Sequence, residues 1–472
     1  MTHQHDRNRS RWAGGLAAAA MLLAAGPASA AVAAPPPALP SVDTQFVLNS
    51  FLFLFGGALV MFMAAGFCML EAGLVRSKNV GDICLKNVAL YALAGIMYYL
   101  VGYDLMYTDV SGLIGTFSVW DASQGAPGAD AVAGEAGGYA NHSDWFFQMV
   151  FVATAASIVS GAVAERVKLF PFLAFVLVLT AVIYPVQGAW KWGGGWLDGI
   201  GFNDFAGSTI VHSVGGWAAL TGVLIIGARR GKYEGGRVNP LPGSSLPLAT
   251  LGTFVLWLGW FGFNGASQLA MGTVSDVVAL SRIFANTNMA AAGGVIAALI
   301  LTKALYKKVD LTLVLNGALA GLVSITAEPL TPSVGEAILI GAAGSLIATF
   351  AIPLLDRIRI DDVVGAIPVH LVAGIFGTLI VPLTNPEASL TAQVIGIAAV
   401  AAWVVPTSAL AWFALKLTVG IRLSAEEEMM GGDASELGLE AYPEFGAGGG
   451  GGESASPSAG RVPTPKAAPQ TA

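Results

Sequence analysis

The sequence predicts an all-α polytopic membrane protein: eleven transmembrane helices, arranged as an inverted 5+5 repeat plus an eleventh helix. Three observations carry this. Of 472 residues, 55% are hydrophobic and only 11% charged, against about 25% charged in soluble domains. Apolar runs recur at the ~20 residues needed to cross ~30 Å of hydrocarbon. One pattern, D-x2-G-x3-V-H-x-V-x-G, is also written twice. It runs through Asp204, Gly207, Val211, His212, Val214 and Gly216, and again through Asp362, Gly365, Val369, His370, Val372 and Gly374.

From the N-terminus, Arg7, Arg9 and Arg11 precede a short apolar core, GGLAAAAMLLAAG, and then Ala28-Ser29-Ala30. That order reads as a cleaved signal peptide over residues 1–30, too short in its apolar core for a twelfth membrane helix. It implies a bacterial-type export route, with a periplasmic linker over 31–44. A membrane domain follows over 45–423. Its spans are expected near 45–74, 83–104, 145–165, 169–189, 204–228, 247–267, 285–305, 310–326, 334–355, 363–383 and 391–418.

Basic residues orient the spans. Arg76, Lys78, Lys86, Arg166, Lys168, Arg229, Arg230, Lys232, Arg237, Lys303, Lys307, Lys308, Arg357, Arg359, Lys416 and Arg422 all fall on one side. The opposite loops hold only Lys191 and Arg282. The positive-inside rule then puts the N-terminus outside and the C-terminus inside. Spans five and ten enter from opposite faces, so the doubled motif marks inverted repeats, whose functional site lies near the midplane between halves. The net charge of −7 says little about partners. Cys68 and Cys84 lie in apolar segments and provide neither a disulfide framework nor a zinc ribbon.

With Asp204 as the helix start, His212 lies eight residues in, about 12 Å along the axis. His370 reaches similar depth from the other face. Asp204 and Asp362 suit N-caps, accepting from N–H groups two or three positions on. One membrane histidine is often a packing residue. Two at one depth mark a pathway, and facing neutral imidazoles can share one N–H. A metal site fails for want of ligands, since neither glutamate nor cysteine lies near either histidine in sequence.

The topology gathers Phe147, Phe151, Trp192, Phe263 and Ser267 at the outer mouth. Trp145 and Trp196 suit an interfacial belt. Phe151 and Phe263 lie deeper, where aromatic faces attract a small cation by about 0.5–2 kcal/mol and a serine hydroxyl accepts one N–H. Such a site would hold a monovalent cation without a fixed carboxylate.

These residues resemble the ammonium transporter (Amt/Rh) family of the bacterial Amt type. The resemblance rests on AERVKLFPF (164–172), WGGGW (192–196), DFAGSTIVH (204–212), GWFGFNGAS (259–267), NTNMAAAGG (286–294), LNGALAGLVSITA (315–327) and DDVVGAIPVHLVAGIFGT (361–378). It covers about residues 45–445, in consistent order. It implies a homotrimer with one narrow apolar pore per subunit, in a bacterial inner membrane. By matching positions, Phe151, Trp192 and Ser267 resemble the external ammonium-recruitment site, with Asp204 in structural support. Phe151 and Phe263 resemble the stacked gate, and His212 and His370 the paired pore histidines. Two positions depart: Gly365 stands where the family commonly has an aspartate, and NGAS follows Phe263 in place of NAGS.

The implied event is uptake of ammonium, deprotonated at the mouth, with ammonia and the proton crossing separately. A whole ion in the apolar section would cost several kcal/mol or more. Residues 424–445 keep the family's acidic, glycine-turned pattern, which implies a cytoplasmic regulatory region and a PII signalling partner. Residues 446–472 read as a disordered Gly/Pro/Ala tail. An ammonium sensor and a neutral gas channel are the alternatives. No cofactor or nucleic-acid partner is expected, and two histidines without a nucleophile, metal set or carboxylate pair make a poor enzyme site.

Overall fold

The computed structural model describes residues 40–122 and 138–443. The expected signal peptide, most of the linker after it and the Gly/Pro/Ala tail lie outside the described residues. Among those described there is no β-strand, only an isolated bridge between Val167 and Arg422.

Nine described helices are long and apolar enough to cross a membrane: α1 Val42–Leu74, α2 Ser77–Tyr107, α3 Asn141–Val163, α4 Leu169–Gly199, α5 Ser208–Ile226, α6 Leu246–Ala266, α7 Val274–Tyr306, α9 Val334–Arg357 and α11 Leu390–Thr418. Two are shorter, α8 Leu311–Ile325 and α10 Ile367–Leu379. At 1.5 Å per residue these two reach only about 20–23 Å. Their shortness is tolerable because they are wrapped by protein. Within α8, Leu313 through Ile325 are all buried, so the backbone at its ends finds partners inside the bundle.

The helices pack in a repeating pattern. α1 lies along α6, and α5 against α10. The contacts α1–α2, α1–α3, α2–α3 and α3–α5 recur five helices later as α6–α7, α6–α8, α7–α8 and α8–α10. Small residues make the α1–α6 seam possible, as is common where helices associate in lipid. A side chain at Gly262 would come within 2.5 Å of the Gly56 carbonyl oxygen. Outward faces carry exposed Phe51, Phe55, Phe62 and Phe254, a surface suited to hydrocarbon rather than water.

The span expected over 204–228 begins at Ser208 instead, and that expected over 363–383 begins at Ile367. Glycine is the reason. Gly207 and Gly365 take φ of +106° and +84°, a left-handed turn that a helix cannot contain and that glycine adopts without Cβ strain. Both helices then open with a π turn, Ser208–Ser213 and Ile367–Val372.

The described part of the acidic segment folds back onto the bundle instead of trailing into solvent. Ser424 caps a short helix, Ala425–Met430, and a π turn follows over Asp433–Leu437. Lys78 Nζ donates to the Glu428 carbonyl at 2.9 Å, and the Asp82 amide to Asp433 Oδ1 at 2.8 Å. The Leu169 amide donates to Glu436 Oε2 at 2.6 Å, and Arg422 pairs with Glu428 at 2.8 Å. Beside it lies a buried ion cluster. Arg229 reaches Asp361 at 2.8 Å and Glu165 at 3.2 Å, while Arg76 reaches Glu165 at 2.5 Å.

Candidate functional site

The two aspartates of the doubled motif hold their helices in the same way. Asp204 accepts from the amides of Gly207 at 3.2 Å, Thr209 at 2.9 Å and Ile210 at 2.8 Å. Asp362 accepts from Gly365 at 3.1 Å and Ile367 at 2.6 Å. The donors lie three, five and six positions on, farther than an N-cap two or three positions away. The left-handed glycine displaces the helix start, and the carboxylate reaches across that turn to its free amides.

The consequence is depth. His212 is the fifth residue of α5 and His370 the fourth of α10, about half as far along a helix as a start at Asp204 would give. The His212 amide itself bonds to the Gly207 carbonyl, five residues back, at 3.0 Å. This is the widened spacing of a π turn, which recurs at functional sites. Carbonyls freed by the irregular start find donors. Gln187 donates to Ile210 O at 3.0 Å and Ser213 to Ser208 O at 3.0 Å, and the Thr209 and Thr378 hydroxyls tie α5 to α10 at 2.7 Å.

The histidines meet through Nδ1 atoms 3.1 Å apart, with ring centroids at 5.2 Å. One Nδ1 donates and the other accepts. His212 stacks on Trp260 at 5.0 Å, and Trp260 is fixed by a 2.9 Å bond from Nε1 to Thr326 Oγ1. The other ring nitrogen of His212, Nε2, is buried without a protein partner.

On one side of the pair, Phe263 lies 5.1 Å from His212, and Phe151 stacks on Phe263 at 4.1 Å. Both phenylalanines are buried. Beyond them is a cavity of about 140 Å³, lined by Phe151, Trp192, Ser267, Phe147, Asp144 and Gln148, with other aromatics. Trp192 is edge-on to Phe151 at 6.0 Å, and its Nε1 donates to the Asp204 carbonyl at 3.0 Å. Asp204 therefore supports this wall through its backbone as well as α5 through its carboxylate. Ser267 donates to the Phe263 carbonyl at 2.8 Å, which leaves its oxygen lone pairs to accept from a ligand.

This cavity corrects one expectation. A carboxylate does line it: Asp144, buried and held by the Tyr103 hydroxyl. In the polar first turn of α3, Asn141-His142-Ser143-Asp144, the sequence gave no pattern to distinguish Asp144 from an interfacial residue. On the other side of the pair, His370 lines a second cavity of about 10 Å³ with Phe67, Glu71, Ser157, Asn316 and Val364. Sequence reasoning singled out neither Glu71 nor Asn316. The expected belt tryptophans are half-buried: Trp145 stacks on Trp120 at 5.3 Å, and Trp196 packs on Trp190 at 5.8 Å. Among the described residues no group of three or more His, Cys, Asp or Glu is placed to hold a metal.

Two cavities with a buried file of Phe151, Phe263, His212 and His370 between them, inside a bundle of apolar helices, define a multi-pass membrane protein. Residues 51–442 match the sequence profile of the Ammonium Transporter Family, and the chain belongs to that family. It is 40% identical over 421 residues to the ammonium transporter Amt2 of Archaeoglobus fulgidus, covering 82% of this chain and 87% of that one. The solved structure of a Sensor Amt Protein superposes with a TM-score of 0.77 at 35% identity, over 83% of this chain and 98% of that one. The crystal structure of Candida albicans Mep2 gives 0.73 at 28% identity, over 82% and 89%.

Proposed function

We propose that this protein takes up ammonium across a bacterial inner membrane. All eleven helices span it, the N-terminus outside and the C-terminus inside, and α1–α5 and α6–α10 are inverted halves. Ammonium is recruited in the outer cavity by Phe151, Trp192 and Ser267. It loses its proton there, and ammonia passes the Phe151–Phe263 gate and the His212–His370 pair. The proton crosses separately along the histidines, so the net event moves charge. The observation that supports this reading best is the file itself, which offers ring faces to a cation at the mouth and, between the two cavities, the stacked phenylalanines and one imidazole pair. Between Asp144 at the outer cavity and Glu71 at the inner one, the file itself consists of Phe151, Phe263, His212 and His370, where an ion would pay the full cost of desolvation.

The family resemblance extends the reading to a homotrimer, each subunit with its own path. The acidic tail, packed against the first turns of α2 and the start of α4, suits a regulatory platform for a PII signalling protein at the inner face. The signal peptide over 1–30 fits export of the N-terminus.

The test is an ammonium concentration jump on proteoliposomes. A saturable transient current is expected. Ammonia flux without current would instead make this a neutral channel. Saturable binding with neither flux nor current would favour a sensor, the reading to which the likeness to a Sensor Amt Protein lends support.

A further inference from the structure

Glu71 belongs to neither the stacked phenylalanines nor the outer cavity. It lies in α1, 1% exposed, and its carboxylate is held by neutral groups: Ser160 Oγ donates to Oε1 at 2.6 Å and Asn87 Nδ2 to Oε2 at 2.7 Å. These partners come from α3 and α2, so three helices converge to fix one carboxyl group. It also lines the cavity that His370 lines. At about 10 Å³ that cavity has room for one small molecule of the size of water or ammonia. Ionisable groups buried in membrane helices mark ion and proton pathways, and this one sits next in line after the histidines.

We infer that Glu71 is the proton donor that re-forms ammonium at the inner end of the path. The inference rests on the transport reading above. Ammonia arriving beside His370 takes the carboxyl proton: the O–H bond of Glu71 breaks and an N–H bond forms. Two neutral species become a carboxylate and an ammonium ion, which leaves inward. One proton delivered through His370 then resets the carboxyl group, so each cycle moves one ammonia and one proton. Ser160 and Asn87 hold the carboxylate in place while it is ionised. The titratable groups around it are Cys68 on its own helix, Cys84 and Lys86 on α2, and His370 across the cavity.

The test compares wild type, Glu71→Gln and Glu71→Asp in proteoliposomes. Ammonium-jump current and ammonia permeation, read by an internal pH dye, are measured side by side. The expected result for Glu71→Gln is a current lower by about a hundredfold, the scale of a lost general acid, with ammonia permeation retained. Glu71→Asp recovers part of the current. Wild-type current in Glu71→Gln overturns the inference, as does equal loss of current and ammonia permeation, which would make Glu71 a wall of the pore. Should Glu71→Gln fail to fold, Ser160→Ala removes one donor and keeps the carboxyl group. The pH profile of the current must then change, and an unchanged profile overturns the inference. Absence of current in wild type would instead defeat the electrogenic transport reading on which the inference rests, a separate outcome.

Discussion

The Nδ1 atoms of His212 and His370 stand 3.1 Å apart, a separation at which one proton sits between two rings and a second has no place. Proton movement along the pair therefore needs both nitrogens. His212→Ala and His370→Ala are each expected to lower ammonium-dependent current by about a hundredfold, the scale of a lost acid–base group, while ammonia permeation persists. Parallel recording of current and internal pH in proteoliposomes checks this, and a retained current would refute proton conduction by the pair.

At the outer cavity, Trp192 touches Phe151 and is locked to the Asp204 carbonyl. Trp192→Leu removes one aromatic face, worth about 0.5–2 kcal/mol to a cation. The half-saturating ammonium concentration should rise by up to about thirtyfold, at 1.4 kcal/mol per factor of ten. Phe263→Ala should act differently, since Phe263 stacks below the cavity. It is expected to change the maximal current more than the half-saturating concentration.

The aspartate–glycine starts of α5 and α10 make a graded prediction about stability. Asp204→Ala strands three buried amides and Asp362→Ala two, and loss of one cap costs about 0.5–2 kcal/mol. The midpoint of thermal unfolding in detergent should fall for both, and further for Asp204→Ala. Gly365→Asp, which installs the residue the family commonly has there, should lower it too, because φ of +84° strains any side chain.

Asp361 provides a pH signature on the side of the bundle that carries the acidic tail. Burial pushes its carboxyl up, but the hydrogen bonds from Arg229 and the charges of Arg166 and Arg229 more than reverse this, leaving it well below the usual carboxylate range. A folded pKa below the unfolded one, about 3.9, stabilises above that value. The contribution is lost as pH falls from about 4 through the folded pKa. Asp361→Asn should flatten the acid limb of a thermal-midpoint profile. Arg229→Ala, which leaves Glu165 and Asp361 buried without it, should cost about 3–5 kcal/mol at neutral pH.

Much of this architecture was legible in the sequence, because membrane helices announce themselves by length and apolarity. Ten of the eleven expected spans also start within about six residues of their helices; the exception is α7, expected from 285, which begins at Val274 because Thr273 and Asp276 form a capping box there. Asp204, Gly207 and His212 were visible as a unit because Asp362, Gly365 and His370 repeat it. What the repeat could not reveal was the sign of φ at its glycines, which moves both helix starts and lets each aspartate reach five residues on. Asp144, Glu71 and Asn316 were missed for another reason. None of them belongs to a repeated or spaced pattern in the sequence, and it is packing that brings each to a cavity. Ser160, for example, meets Glu71 across 89 positions of chain.

The doubled aspartate–glycine start has one more implication. Each histidine is mounted on its own copy of one local construction, an aspartate that accepts across a left-handed glycine three residues on. On the inverted-halves reading, a single ancestral unit of half this length, inserted into the membrane both ways up, would bring two copies of the same histidine face to face on pairing. The contact at 3.1 Å would then join two copies of one residue, each held by its own aspartate–glycine bracket.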